Sequence, residues 1–314
     1  MQIYVIRRLL NIIPTLIGLS LIVFLMMRVI PGDATVLILE ESPTAVRKDE
    51  LRAELGLDKP VYEQYAIWIS GVVQGDLGTS FWTNRPVLDS IKRTLPVTIE
   101  LAVFASLVAL IVALPIGILS AVKQDTMWDY LARSVSIAAL SVPNFYLGTL
   151  VIIIPAVLWK WVPPVTYRPI WEDPATNLQQ FWLPSLVIGA SASATLMRMT
   201  RSAMLEVMRQ DYIRTALAKG LTNRTVVLRH ALKNSLIPVV TIFGALVAGL
   251  LTGTVITESI FNLPGLGRLT IDAIAQRDYP QIQANVLLFG LIYTLANLSV
   301  DLSYVFLNPR IRYG

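Results

Sequence analysis

The 314-residue sequence has no cysteine and a single histidine, His230. Without thiols there is no disulfide framework, no thiolate nucleophile and no cysteine-based metal site. A zinc-protease helix motif needs two histidines and is excluded as well. Gly-Lys occurs nowhere, so the chain lacks the Gly-x-x-x-x-Gly-Lys-Ser/Thr loop that cradles nucleotide phosphates. The run Gly189-Ala-Ser-Ala-Ser193 begins like a nucleophile elbow but lacks the closing glycine. It reads instead as a small-residue helix face that lets a second helix approach closely. Catalysis by this chain is not expected, and neither is a bound metal or cofactor. Charge is scarce too: 15% of residues are charged against 54% hydrophobic, and the mean hydropathy is +0.61. That balance belongs to membrane proteins.

What the chain does have is long charge-free runs. Six stand out: Leu9 to Met27, Leu101 to Val122, Ser134 to Trp159, Pro174 to Met197, Asn234 to Thr257 and Tyr279 to Val300. Each is near or above the roughly 20 residues that a helix needs to cross a bilayer core of about 30 Å. The fourth is the most polar, through Pro174 to Gln180, and its apolar part starts nearer Phe181. Runs this long do not alternate as barrel strands do, so the expected fold is an all-α membrane protein of six transmembrane helices. The first run follows Arg7 and Arg8, as a signal peptide would. It is long for one, and Arg28 to Asp33 offers no small-x-small cleavage site, so it is read as an uncleaved first helix.

Lysine and arginine set the orientation. Residues 198–233 carry Arg198, Arg201, Arg209, Arg214, Lys219, Arg224, Arg229 and Lys233 against only Glu206 and Asp211. Arg7 and Arg8 precede the first span, Lys123 and Arg133 lie in the link between the second and third, and Arg310 and Arg312 follow the sixth. Six spans put all four regions on one side, which the positive-inside rule makes the cytoplasm. Pro31 to Pro96 holds seven basic and ten acidic residues and is long enough to be translocated regardless of charge. The net charge of +5 thus reflects topology. It is not the footprint of a nucleic-acid partner, because no soluble basic domain carries it.

Ion-coupled transport is the rival reading. It calls for ionisable groups at midplane and for broken helices in related halves. Arg28, Glu100, Arg198, Glu258 and Asp301 lie near the ends of the runs, where snorkelling or interfacial water suffices. Pro14, Pro115, Pro143 and Pro155 read as kinks. A membrane-embedded enzyme and a purely structural membrane subunit are the other classes left.

The basic segment holds the sharpest local signal. Ser202 to Lys219 carries Met204, Val207, Met208, Ile213, Ala216 and Leu217 at near-helical spacing, with Arg209, Arg214 and Lys219 between them. Gly220 is placed to end that helix, since glycine takes the left-handed conformation readily. Thr222 is placed to cap a second helix running through Val226, Val227, Ala231 and Leu232. Such an element is either a basic amphipathic helix resting on lipid headgroups or a rigid, small-faced helix end (Ala216, Ala218, Gly220) that docks into a partner's groove.

Here the sequence resembles the cytoplasmic loop of bacterial ABC importer permeases. Arg214-Thr215-Ala216 occupies the position of their Glu-Ala-Ala motif, Gly220 follows four residues after Ala216, and Leu236-Ile237-Pro238 lies at the next span. Arg214 replaces the acidic residue, a departure typical of the dipeptide, oligopeptide and nickel branch. Further stretches agree with that branch across the whole chain: Arg7-Arg8-Leu9, Pro31-Gly32-Asp33, Leu55 to Pro60, Gly75-Asp76-Leu77-Gly78, Phe261 to Arg268, Arg277-Asp278-Tyr279-Pro280 and Asn308 to Tyr313. The resemblance implies the first permease subunit of a pair. Its partners would be a second permease, two ATPases that bind ATP and Mg, and an extracytoplasmic substrate-binding protein. Asp211, Arg214, Thr215, Ala216, Leu217, Lys219 and Gly220 would couple it to an ATPase. Dipeptides, longer peptides, glutathione and nickel chelates are the branch's substrates. Eight methionines and one histidine form no cluster of soft ligands, which tilts the expectation toward peptides.

On the external side, Thr44 to Leu55 reads as a charged amphipathic helix. Val61 to Val73 carries Tyr62, Tyr65, Trp68 and Ile69 on one stripe. The stripe is either a packed cap or a contact for the delivery protein. Asn144, Thr252 and Glu258 are candidates for the pathway or its gate, Glu258 being equally an interfacial carboxylate partnered by Arg268. The expected organisation is residues 1–30 as N-terminus and first helix, 31–95 as external loop or cap, and 96–314 as a five-helix permease domain with its coupling segment at 201–233.

Overall fold

The computed structural model describes residues 2–29 and 58–307. The proposed helix over Thr44 to Leu55 lies outside them. Among the described residues the chain is helical, with one isolated antiparallel bridge between Thr79 and Pro86. Two compact units are distinguished.

One unit comprises residues 2–29, 58–97 and 264–294 of the described chain. Its helices are α1 (Gln2–Val29) and α2 (Val61–Gln74), the start of α3 (Val87–Val122), α10 (Leu266–Ala275) and the start of α11 (Tyr279–Leu307). Helix α2 lays the expected aromatic stripe on α1. Phe24 stands 5.3 Å from Tyr65 and 5.6 Å from Trp68 between ring centroids, and the Tyr65 hydroxyl lies 2.8 Å from Ser20 Oγ. Tyr62 departs from that stripe and is 72% exposed. The linking loops are fixed by the buried Asp278 carboxylate, which accepts hydrogen bonds from Ser80 Oγ and from the Phe81 amide.

The other unit comprises residues 98–263 and 295–307. It holds the rest of α3, then α4 (Met127–Ser141), α5 (Asn144–Trp159), α6 (Pro174–Met208), α7 (Asp211–Ala218), α8 (Leu232–Gly253), α9 (Val255–Ile260) and the end of α11. Helix α6 is its axis, packed against α4, α5 and α8. Asp173 starts it by accepting from the Thr176 amide at 3.1 Å, with Pro174 in the first turn. The buried face of α6 includes Gly189, Ala192, Ser193 and Ala194. A Cβ added at Gly189 would stand 2.7 Å from Val108 of α3, so the small-residue face does allow close helix approach.

Four helical stretches are long and apolar enough to cross a membrane, Leu10–Val29, Val87–Val122, Asn223–Thr252 and Tyr279–Val300. A fifth follows if α4 and α5 count together. In the third run, Ser134 to Trp159, the kink expected at Pro143 is a sharp one. The run breaks between α4 and α5 with a bend of 94°. Pro143 pushes the residue before it out of the helical region, and Val142 is extended at ψ 124°. The expected single helix over Ser202 to Lys219 is corrected. Helix α6 ends at Met208, and α7 starts afresh at Asp211 after an extended Gln210 at ψ 149°.

Candidate functional site

Helix α7 is short and bedded by one face. Ile213 and Ala216, one turn apart, are buried with Met204 of α6, Ala121 of α3, and Val226 and Ala231. Burying one side chain the size of Ile213 stabilises by about 1.5–3 kcal/mol. The opposite face is open. Asp211, Arg214, Thr215, Leu217, Ala218 and Lys219 are exposed. Asp211 and Arg214 approach to 3.5 Å at the surface, where such a pair contributes little.

The end of α7 is closed by a Schellman motif. The Gly220 amide donates to the Leu217 carbonyl at 2.9 Å, and the Leu221 amide reaches back to Ala216 at 3.3 Å. Gly220 has φ +82°, and nothing lies within 4 Å of where its Cβ would be. Thr222 then caps the next helix, its hydroxyl accepting from the Thr225 amide at 3.4 Å. That helix is one α turn, Asn223–Thr225, followed by a π-helical stretch, Val226–Ala231, that continues into α8. Five residues advance an α-helix about 140° past a full turn, whereas wider π turns bring such positions onto one side. This is how Val226 and Ala231 both face the core. Tyr212 ties α7 to this helix: Asn234 Nδ2 donates to its hydroxyl at 2.7 Å, which points at the His230 carbonyl at 3.4 Å.

Beside this bed lies a buried ion pair that sequence reasoning missed. Asp129, fully buried in the first turn of α4, accepts from Arg201 Nε and Nη2, both at 2.7 Å. Ser120 Oγ at the end of α3 donates to it at 2.5 Å and the Asp125 amide at 3.1 Å. In the sequence, Arg201 is one of many basic residues and Asp129 an ordinary helix-start acid. Only the fold brings them together.

The pathway candidates are placed differently. Asn144 is exposed at the first position of α5, just past the bend. Thr252 is half-buried and its hydroxyl donates back to the Ala248 carbonyl at 3.1 Å. Glu258 is fully buried, and both Thr98 and Thr254 donate to its Oε1 at 2.7 Å. The reason is local. Helix α8 stops at Gly253, and the short α9 turns the carboxylate onto α3. Helix α9 packs against α5, where Gly148 admits Ile260 and Phe261.

A second carboxylate, Glu100, sits within α3, just before its apolar run. Tyr167 donates to it at 3.0 Å and Asn177 Nδ2 at 2.8 Å, which pins the loop ahead of α6. Burial, with Glu100 alongside, raises the Tyr167 phenol above its ordinary range. Asp173 is held below the usual carboxylate range by the Thr176 hydroxyl and amide. Among the described residues no three acidic or histidine side chains gather as a metal site.

Comparison with known proteins bears on the family of the chain. Residues 113–313 match the model of the binding-protein-dependent transport system inner membrane component, and residues 1–102 match the N-terminal part of such membrane components. The chain is 42% identical over 310 residues to the glutathione transport system permease protein GsiC of Escherichia coli K12, covering 99% of each. It is 40% identical over 334 aligned positions to the dipeptide transport system permease protein DppB of the same strain, covering 99% of this chain and 98% of the relative. Among solved structures, the inward-facing MetNI methionine ABC transporter matches with a TM-score of 0.56 at 16% identity, over 70% of this chain and 97% of that one. An amino acid ABC transporter with histidines matches with a TM-score of 0.53 at 14% identity, over 71% and 95%. The chain belongs to the family of binding-protein-dependent transport system inner membrane components.

Proposed function

We propose that this chain is the first permease subunit of an ATP-driven importer and that α7 is its contact with a partner ATPase. The carrying observation is the two-sided character of α7. One face is held by Ile213 and Ala216, and the other presents Arg214, Thr215, Leu217 and Ala218. A helix so bedded transmits force to α3, α6 and α8 when pushed. Closure of the ATPases on ATP shifts the permease between two conformations, and α7 carries that shift without chemistry of its own.

In this reading six spans cross the inner membrane: α1, α3, the bent α4–α5 pair, α6, the helix from Asn223 to Gly253, and α11. Helix α6 qualifies by length, since 35 residues extend about 52 Å. The basic residues of 198–233 put α7 and both termini on the cytoplasmic side, and residues 31–95 outside as a cap facing the substrate-binding protein. Asn144, Thr252 and Glu258 border the pathway formed with the second permease. The substrate is a short peptide, because relatives covering the whole chain are named for glutathione and dipeptide transport.

Affinity purification of the tagged chain from gently solubilised membranes, followed by mass spectrometry, tests this reading. A second six-span protein and one or two ATPases should follow it. Repeated recovery of the folded chain alone would overturn the assignment and turn attention to ion-coupled transport.

A further inference from the structure

Helix α4 offers no large apolar side chain to the unit it packs against. Its buried and half-buried positions are Asp129, Ala132, Ser136 and Ala139, while Trp128, Leu131, Val135, Ile137 and Leu140 are exposed. Helix α4 thus meets α6 through small side chains, with no large side chain to key one helix into the other. Among the described residues its one directional fastening is the bidentate fork from Arg201 to Asp129, supported by Ser120 and the Asp125 amide. Arg201 lies in the last turns of α6, just before the break to α7. At the same depth α3 and α6 are locked, since a Cβ at Gly117 would stand 2.8 Å from Thr200 Cβ. The fork therefore ties the start of α4 to the α3–α6 pair on which α7 rests.

We propose that Arg201 and Asp129 are positioning residues that carry the displacement of α7 into α4 and, across the bend at Val142–Pro143, into α5. This rests on α7 being the ATPase contact. A buried ion pair adds little net stability over an apolar replacement, but its geometry is specific. Arg201 cannot be replaced by lysine without losing the fork.

The absence of cysteine in this chain makes the test direct. An environment-sensitive fluorophore is placed at Ala218→Cys on α7 or at Tyr146→Cys on α5, both exposed. The purified importer complex is then trapped with ATP and vanadate. With the native pair, both probes should respond. In Asp129→Asn, Arg201→Gln and the double variant, the α7 probe should still respond. The α5 response should fall about tenfold, within the usual range of coupling between sites, and no further in the double variant than in either single one. Arg201→Lys, which keeps the charge, should also lose most of the α5 response. Undiminished α5 responses in the variants would overturn the proposal while leaving the ATPase contact standing. Additive losses would overturn it too, as would failure of every variant, including Arg201→Lys, to assemble, which would make the pair a folding element. A silent α7 probe in the native complex would instead refute the ATPase contact itself.

Discussion

Replacing Gly220 separates a requirement of this chain's backbone from a requirement of its partner. At φ +82° any L side chain carries a penalty of about 1–2 kcal/mol. Lower entropy in the unfolded chain offsets about 0.4–1 kcal/mol of it. The net loss should be about 1 kcal/mol for alanine, less for asparagine, which tolerates this region better. Nothing in the chain lies within 4 Å of the Cβ position, so a larger side chain meets no obstacle here. Gly220→Trp should therefore match Gly220→Ala in thermal stability to within about 0.5 kcal/mol. Transport should differ. If the helix end enters a groove on an ATPase, the indole must be accommodated there, and misfit of about 1.4 kcal/mol already weakens docking tenfold. Peptide uptake by cells and melting of the solubilised complex are measured for Asn, Ala and Trp side by side. Uptake that is normal in Gly220→Trp, or that falls only in proportion to stability, would refute the reasoning.

Other outcomes follow from packing. Gly189→Ala should lower stability by about 1–3 kcal/mol because its methyl meets Val108 and the Ala105 carbonyl. Gly249→Ala, which meets nothing within 4 Å, should be neutral or stabilising in the same melting assay. Ile213→Ala should cost about 2–5 kcal/mol. Leu217→Ala, on the exposed face of the same helix, should stay within about 0.5 kcal/mol yet weaken recovery of the ATPases. Asp173 has a carboxyl pKa depressed by Thr176, so its contribution is full above the ordinary carboxylate range and fades as pH falls through the depressed value. Asp173→Ala should accordingly lower the melting temperature at neutral pH and make no difference at strongly acidic pH.

The features readable in the sequence were those set by one residue's own chemistry. Gly220 ends α7 because only glycine takes that backbone cheaply, and Thr222 caps because its hydroxyl reaches its neighbours' amides. The small-residue stretch from Gly189 was legible for the same reason. What hydropathy did not reveal was geometry between elements. Pro143 marked a kink in the run Ser134 to Trp159, but the apolar pattern runs on through it and gave no measure of the 94° bend. The apolar spacing of Ser202 to Lys219 continues across Arg209 and Gln210, although the backbone does not. The hydrogen bond to Glu258 from Thr98, far away in sequence, left no mark in the sequence either. Asp129 and Arg201 each had an adequate local explanation, so nothing marked them as a pair.

Site-specific cross-linking from α7 tests the central claim most directly. The chain has no cysteine of its own, so Leu217→Cys and Ile213→Cys give single reactive sites on opposite faces of one helix. In isolated membranes treated with a short thiol-to-amine cross-linker, Leu217→Cys should form an adduct with an ATPase subunit and Ile213→Cys should not. An α7 that yields no adduct from its exposed face, in membranes where the ATPases are present and active, would contradict the account.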